Sequence, residues 1–319
     1  MEALDTYRLN TFKLLNRYRY LRANMLAAYH GGSLQNRKRE LMPLRKAGLV
    51  AQPTAQKDTM NYRYSPRVYE LTDKSKKLLA EYEPIVKWDS EHDFWHQLMI
   101  ADIVFSIEME CARRGLRFRH GTDLLDIPCR FPAHITRNFA HHTEYYDGDL
   151  RPDELFAIEE IYFVLEADRQ TEPIERQTLK TSSYMRKLLQ YRDVLKSKSY
   201  KDLIPNMIVL NVTTSRLHAK GIQHFMREDL RIASSSMLFK GIDLLGSDND
   251  YPDPYTHKEI DPVTLLPTRV AGGLVQTLFD EPFDRVGHPP TSIMELLNGR
   301  TSEANRPVHS TGHAQPADK

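Results

Sequence analysis

Arg151-Pro152-Asp153-Glu154-Leu155-Phe156-Ala157-Ile158-Glu159-Glu160-Ile161-Tyr162-Phe163-Val164-Leu165-Glu166-Ala167-Asp168-Arg169 decides how the chain is read. Two apolar runs, 154–158 and 161–167, flank Glu159-Glu160 and predict a β-hairpin. The second run is apolar without alternation, which predicts a central strand covered on both faces. Antiparallel pairing brings Asp153, at the start of one arm, near Glu166, at the end of the other. The 12 residues between them suit two strands of about five to six residues. Two carboxylates at one sheet end can hold Mg²⁺, which takes oxygen ligands and keeps waters for chemistry.

Working outward, Phe94, Leu98, Ile103, Val104 and Ile107 predict a long helix from His92 to Arg114. Residues 115–150 read as irregular, with one short strand around 127–131. After the hairpin come a helix over about 178–195, a strand over 207–212 and a helix over about 215–229. The order is helix, two or three strands, helix, strand, helix: an α/β sandwich around a small mixed sheet. Proline and acidic residues cluster from Asp248 to Pro254. An irregular extension is expected from 246, with a disordered tail from Arg300.

Towards the N-terminus, apolar spacings of three and four predict two short helices over 4–29, and His30-Gly31-Gly32 ends the second. Ser33 is placed to cap a third helix reaching Ala47, which buries Leu34, Leu41 and Leu44. Leu49–Gln52 and Arg67–Thr72 then read as strands flanking the loop 53–66, a β-wing. Asp73 is placed to cap a helix from Lys74 to about Val86. This order is that of a winged helix-turn-helix. The expected organisation is a winged helix over 1–89, an α/β domain over 90–245 and an extension over 246–319.

Charge supports the division. The 319 residues carry 44 Lys+Arg and 43 Asp+Glu, but residues 1–89 hold 17 against 9 and the remainder 27 against 34. A basic first part points to a polyanion. The third helix offers Gln35, Asn36, Arg37, Lys38, Arg39 and Arg45 to DNA, with Lys57 and Arg63 reaching from the wing. Asn, Gln and Arg near the helix start are also the side chains that read base edges.

No apolar run approaches the roughly 18–20 residues of a membrane span, and the N-terminus lacks the apolar stretch of a signal peptide. Cys111 and Cys129 are too few for a disulfide scaffold or a four-cysteine zinc module, so a reducing, cytoplasmic setting is expected. His92 and His96 lie one helical turn apart, but Asp93 stands where the zincin motif has Glu; they read as lining a domain junction. Glu108 and Glu110 are two carboxylates on the long helix.

The arrangement resembles the PD-(D/E)xK nuclease superfamily, a restriction-endonuclease-like αβββαβ fold. Pro152-Asp153 resembles the first half of its motif and Glu166-Ala167-Asp168 the second. The resemblance implies a lysine where this chain has Asp168. In some members that lysine has moved to the following helix, where Lys180 or Lys187 would stand in to position the water. Asp153, Glu166 and Asp168 form the candidate metal set. The phrase 163–173, followed by Tyr184-Met185-Arg186-Lys187-Leu188-Leu189-Gln190-Tyr191, is similar to the replication-relaxation family of plasmid and mobile-element proteins.

That resemblance covers about residues 5–230 and implies roles in plasmid replication, relaxation or mobilisation, with replication or relaxosome proteins as partners. Two readings follow: an Mg²⁺-dependent nuclease or nickase acting on double-stranded DNA, or a non-catalytic DNA-binding accessory or regulator on a degenerate nuclease fold. In the second, Arg169 and Arg186 would neutralise the strand-end carboxylates. A lysine within reach of Asp153 and Glu166 separates the two.

Overall fold

The computed structural model describes residues 4–58, 66–88, 93–125, 127–243, 245, 256–260, 267–271 and 273–304. Arg63 and His92 lie outside the described residues. The protein is a mixed α+β structure. Its first part runs α1 (Thr6–Tyr18), β1 (Leu21–Arg22), α2 (Ala23–His30), α3 (Leu34–Lys46), β2 (Val50–Ala51), the single turn α4 (Thr54–Lys57), β3 (Val68–Leu71) and α5 (Asp73–Leu79). The strands form an antiparallel sheet in the order β1-β3-β2.

Local chemistry sets these boundaries. Ser33 caps α3 by accepting from the Asn36 N–H at 3.2 Å. Thr72, one residue before the expected Asp73, caps α5 in a reciprocal box with Ser75. The helix expected to reach Val86 stops at Leu79. Asn16 of α1 takes over the following chain: its amide donates to Glu83 at 2.9 Å and to the Pro84 carbonyl at 3.0 Å, and its Oδ1 accepts from the Val86 N–H.

The second part opens with α6 (Phe94–Arg114), closed by Gly115 at φ +69°. It continues through β4 (Phe118–His120), α7 (Gly121–Leu124), β5 (Phe131–Asn138), β6 (Thr143–Leu150), β7 (Glu154–Ile158), β8 (Ile161–Asp168) and α8 (Tyr184–Ser197). Then come β9 (Ile208–Thr213), α9 (Arg216–Glu228), β10 (Met237–Gly241), β11 (Thr256–Ile260), β12 (Pro267–Ala271), α10 (Leu274–Phe279), β13 (Phe283–Arg285), β14 (His288–Thr291) and α11 (Ile293–Ala304). Seven strands make one sheet, β14-β13-β10-β9-β8-β7-β4, in which β8, β9 and β10 are parallel and the other pairs antiparallel.

The hairpin β7–β8 forms where the sequence places it, with Leu155 opposite Val164 and Ile158 opposite Ile161. Its turn puts Glu159 at φ +50°, a conformation usually left to glycine. Two bonds to Arg117 before β4 hold it there: the Glu159 N–H donates to the Arg117 carbonyl, and the Arg117 N–H donates to Glu159 Oε1. β8 is covered on both sides. Phe163 and Leu165 belong to the apolar core that also holds α6 and Phe12, Leu26 and Leu44 of the first part, while Val164 belongs to the core that holds Met185, Leu188 and Leu189 of α8.

Three expectations are corrected. Residues 115–150 are not irregular: β5 and β6 pair over eight residues, and Phe131, Ile135 and Leu150 bury their alternate side chains against α8 and its neighbours. The irregular extension expected from 246 contributes β13 and β14 to the main sheet and α10 to the α6 layer, and α11 continues past Arg300 to Ala304. One apolar core joins α1, α2 and α3 to α6 and the sheet. The helix expected from 178 starts at Tyr184, capped by Ser183. Among the described residues no helix is long and apolar enough to cross a membrane.

Polar groups cross the seam between the two parts. Arg22 Nε donates to both oxygens of Asp102, at 3.2 and 3.0 Å, with both side chains at most 2% exposed. Tyr18 donates to Glu108, which Arg17 also pairs at 3.0 Å. The Tyr18 ring stands edge-on to buried His120, whose Nε2 lies 3.6 Å from Glu154 without a hydrogen bond. Burial, helped by the Arg17 charge, pushes the His120 pKa down to about 3, and burial pushes Glu154 up to about 7.

Two outcomes follow from this seam. Asp102→Ala strands the Arg22 charge in the core and should cost about 3–5 kcal/mol of unfolding free energy; Arg22→Met with Asp102→Leu should recover most of it. Denaturant midpoints check both. His120 takes up its proton near pH 6.5 in the unfolded chain but only near 3 in the fold, so it contributes stability above 6.5 that is lost as pH falls. Between pH 7.5 and 5, His120→Asn should therefore gain about 2 kcal/mol relative to the parent, read from unfolding curves at each pH.

Candidate functional site

Continuing the β7–β8 register one step beyond Glu154–Leu165 sets Asp153 opposite Glu166. The Asp153 N–H donates to the Leu165 carbonyl at 3.0 Å, and Asp153 Oδ2 accepts from the Ala167 N–H at 2.7 Å. Glu166 and Asp168 alternate with Leu165 and Ala167, so both face the α8–α9 side of the sheet. Asn211 and Thr213 of β9 sit beside them in register. The site thus lies at the carboxyl ends of parallel strands, where open α/β sheets place ligands.

Helix α8 lays three side chains over this row. Lys187 Nζ is 3.0 Å from Glu166 Oε2 and 3.4 Å from Glu172 Oε2. The Tyr191 hydroxyl donates to Glu166 Oε1 at 2.5 Å, and that of Tyr184 donates to Asn211 Oδ1 at 3.2 Å. From α6, His96 Nε2 reaches Asp153 Oδ1 at 3.0 Å; from α9, His218 Nε2 reaches Asp168 Oδ2 at 2.7 Å. Asp153, Lys187, His96 and His218 keep an edge toward solvent, while Glu166, Asp168, Asn211, Thr213 and the two tyrosines are buried.

Burial raises the Glu166 pKa to about 7; the Lys187 charge pulls it down and the Asp153 charge pushes it up. Burial works the same way on Asp153, yet the His96 bond, the Lys187 charge and the Ala167 N–H together hold it below the usual carboxylate range. Lys187 loses solvation but is held well above the ordinary lysine value by Glu166 and Asp153. Burial raises Asp168 against the opposing pull of His218. The site is a carboxylate pair with a lysine between its members' fields.

The sequence-predicted residues separate clearly. Asp153, Glu166 and Lys187 come together, whereas Lys180 is exposed and, among the described residues, is engaged through its backbone alone. Asp168 turns to His218 and leaves the carboxylate pair, so the expected three-ligand set does not assemble; among the described residues no three metal-ligating side chains converge. Arg169 pairs Asp93 at 2.6 Å and Arg186 donates to the Leu179 and Lys180 carbonyls, so neither neutralises the strand-end carboxylates. Glu108 belongs to the seam and Glu110 is paired by Arg113 and Arg114. His96, read from the sequence as lining a domain junction, orients Asp153. His218 went unrecognised because nothing local sets one histidine in a helix apart.

Two carboxylates completed by water suit a Mg²⁺ ion. Glu166 Oε2 fits that use: it is buried, and among the described residues the ammonium of Lys187 at 3.0 Å is its charged partner. Asp153 and Glu166 would hold the ion and Asp168 would not.

On α3, Gln35, Asn36, Lys38, Arg39, Arg45 and Lys46 are exposed, and so is Lys57 on α4. Positions 35, 38, 39, 42, 45 and 46 recur at helical spacing and form one outward face. Among the described residues Lys38, Arg39 and Arg45 have no ion-pair partner. Arg37 is turned inward instead: it is 6% exposed, pairs Glu40, donates to the Gly31 carbonyl at 2.8 Å and lies over the Tyr7 ring. It braces α3 against α1 and the α2–α3 turn and is removed from the outward row.

Comparison with known proteins gives one family. No curated protein matches the chain, and no solved structure does. The replication-relaxation model matches residues 12–207, from the first helix to the threshold of β9, and so includes the α3 face and the complete Asp153–Glu166–Lys187 cluster. The chain belongs to the replication-relaxation family.

Proposed function

We propose that the protein binds double-stranded DNA through an N-terminal winged helix and nicks or cuts it in a PD-(D/E)xK-like domain. The setting is replication, relaxation or mobilisation of a plasmid or mobile element, alongside other replication or relaxosome proteins. Family membership supports the replication-related setting. The observation that carries the chemistry is Lys187 Nζ at 3.0 Å from Glu166 Oε2. The strand lacks the lysine, and the next helix supplies one at the carboxylate where a nuclease needs it.

In this reading Asp153 and Glu166 bind Mg²⁺, which when bound lowers the pKa of a water and offsets charge on the scissile phosphate. The chain's own groups do the positioning. His96 and the Ala167 N–H fix the Asp153 carboxylate, and Tyr191 fixes Glu166. Lys187 holds a cation beside the reacting phosphate, where electrostatic stabilisation has most effect. The outward row of α3 supplies the phosphate contacts that bring the duplex in.

One observation favours the non-catalytic alternative: Asp153, Glu166 and Asp168 each already have a basic partner within the chain. Catalysis separates the readings. Purified protein with Mg²⁺ or Mn²⁺ should nick supercoiled plasmid, Asp153→Ala should abolish nicking, and Lys187→Ala should lower it by about 100-fold. A parent that does not nick establishes the accessory role, and equal nicking by Asp153→Ala exposes a contaminant.

The DNA-binding half is tested separately. Replacing Lys38, Arg39 and Arg45 by Ala should weaken duplex binding and reduce the slope of log K against log salt by about 0.9 for each phosphate no longer neutralised. Arg37→Ala should instead lower the melting temperature. Unchanged affinity in the triple variant would remove α3 from the interface.

A further inference from the structure

We propose that His218 is a second catalytic group of this site, the proton donor to the oxygen that leaves phosphorus. This rests on the phosphodiester-cleaving reading above and adds a residue that the superfamily motif does not contain. Asp168 stands where the motif lysine is absent, faces the same way as Glu166 and is 5% exposed. Both its oxygens are committed: Oδ2 to His218 Nε2 at 2.7 Å and Oδ1 to the Gln170 N–H at 2.8 Å. Its carboxylate is therefore built to aim an imidazole.

One further contact meets the ring, and two seat the backbone that carries it. Tyr184 meets it edge-on, with centroids 6.4 Å apart and planes at 88°. Ser215 caps α9 by accepting from the His218 N–H at 3.2 Å. Gly241 lets β10 come so close that a Cβ there would stand 2.4 Å from Arg216 Cα, which seats the start of α9. With Nε2 taken by Asp168, Nδ1 is the nitrogen left for a substrate; among the described residues nothing bonds to it. A carboxylate that fixes one imidazole nitrogen and presents the other is how acid–base histidines are oriented.

The step balances without a redox partner. A water oxygen forms a bond to phosphorus, the bond from phosphorus to the bridging deoxyribose oxygen breaks, and the Nδ1 proton passes to that oxygen. The proton shed by the attacking water restores the imidazolium. The products are one alcohol and one phosphate monoester, and Lys187 and Glu166 remain at the entering side. A clamp joining β8 to α9, the structural role open to Asp168–His218, would involve no proton transfer.

A substrate whose bridging leaving oxygen is replaced by sulfur separates these roles, because a thiolate departs without protonation. His218→Ala should cut the ordinary oligonucleotide about 100-fold more slowly than the parent and the sulfur-bridged one less than about threefold more slowly. His218→Gln, whose amide can still donate to Asp168, should show the same selective loss and covers the case in which the alanine variant does not fold. Equal loss on both substrates, or full activity in the glutamine variant, overturns the proposal while the nuclease reading stands. A parent that cleaves neither substrate overturns both.

Discussion

The site depends on one burial problem. Glu166 sits near the end of a central strand, 1% exposed, and a carboxylate there is costly unless partners come to it. Tyr191 and Lys187 supply them from α8, one turn apart on the same helical face. That requirement fixes where α8 docks. Once it is docked, Tyr184 reaches Asn211, the Asp168–His218 pair closes beside it, and Met185, Leu188 and Leu189 complete the apolar layer over Val164.

The two parts of the chain are bound together by a seam that reaches this same sheet end. Arg22–Asp102 and Tyr18–Glu108 tie the N-terminal elements to α6, and α6 carries His96 to Asp153. Glu154, next in sequence to Asp153, faces the opposite side of the sheet, beside His120 and near Tyr18. A carboxylate on each face of β7 therefore looks toward a different unit of the protein. The seam and the site share one strand.

Much of the fold was legible. Ser33 before an apolar stripe, Gly48 after it and the continuous run Ile161–Leu165 each mark local physics that operates in the chain alone. The eight-residue hairpin β5–β6 was not legible, because Phe131, Ala133, Ile135 and Leu150 are spaced among histidines, prolines and acids that obscure the alternation. The same holds for β13 and β14, three and four residues long, which exist through pairing, β13 with β10 and β14 with β13, rather than through propensity.

The sequence by itself determined that a hairpin carries two acidic residues to one sheet end behind a basic helix. Period and turn chemistry are local and act before any contact is made. Only the tertiary structure decided which lysine meets Glu166, since Lys180 and Lys187 are alike as letters and Lys187 alone of the two is presented to it by α8. It also turned Arg37 inward and Asp168 toward His218. Charges choose partners by distance and desolvation, and both exist only after the layers have packed.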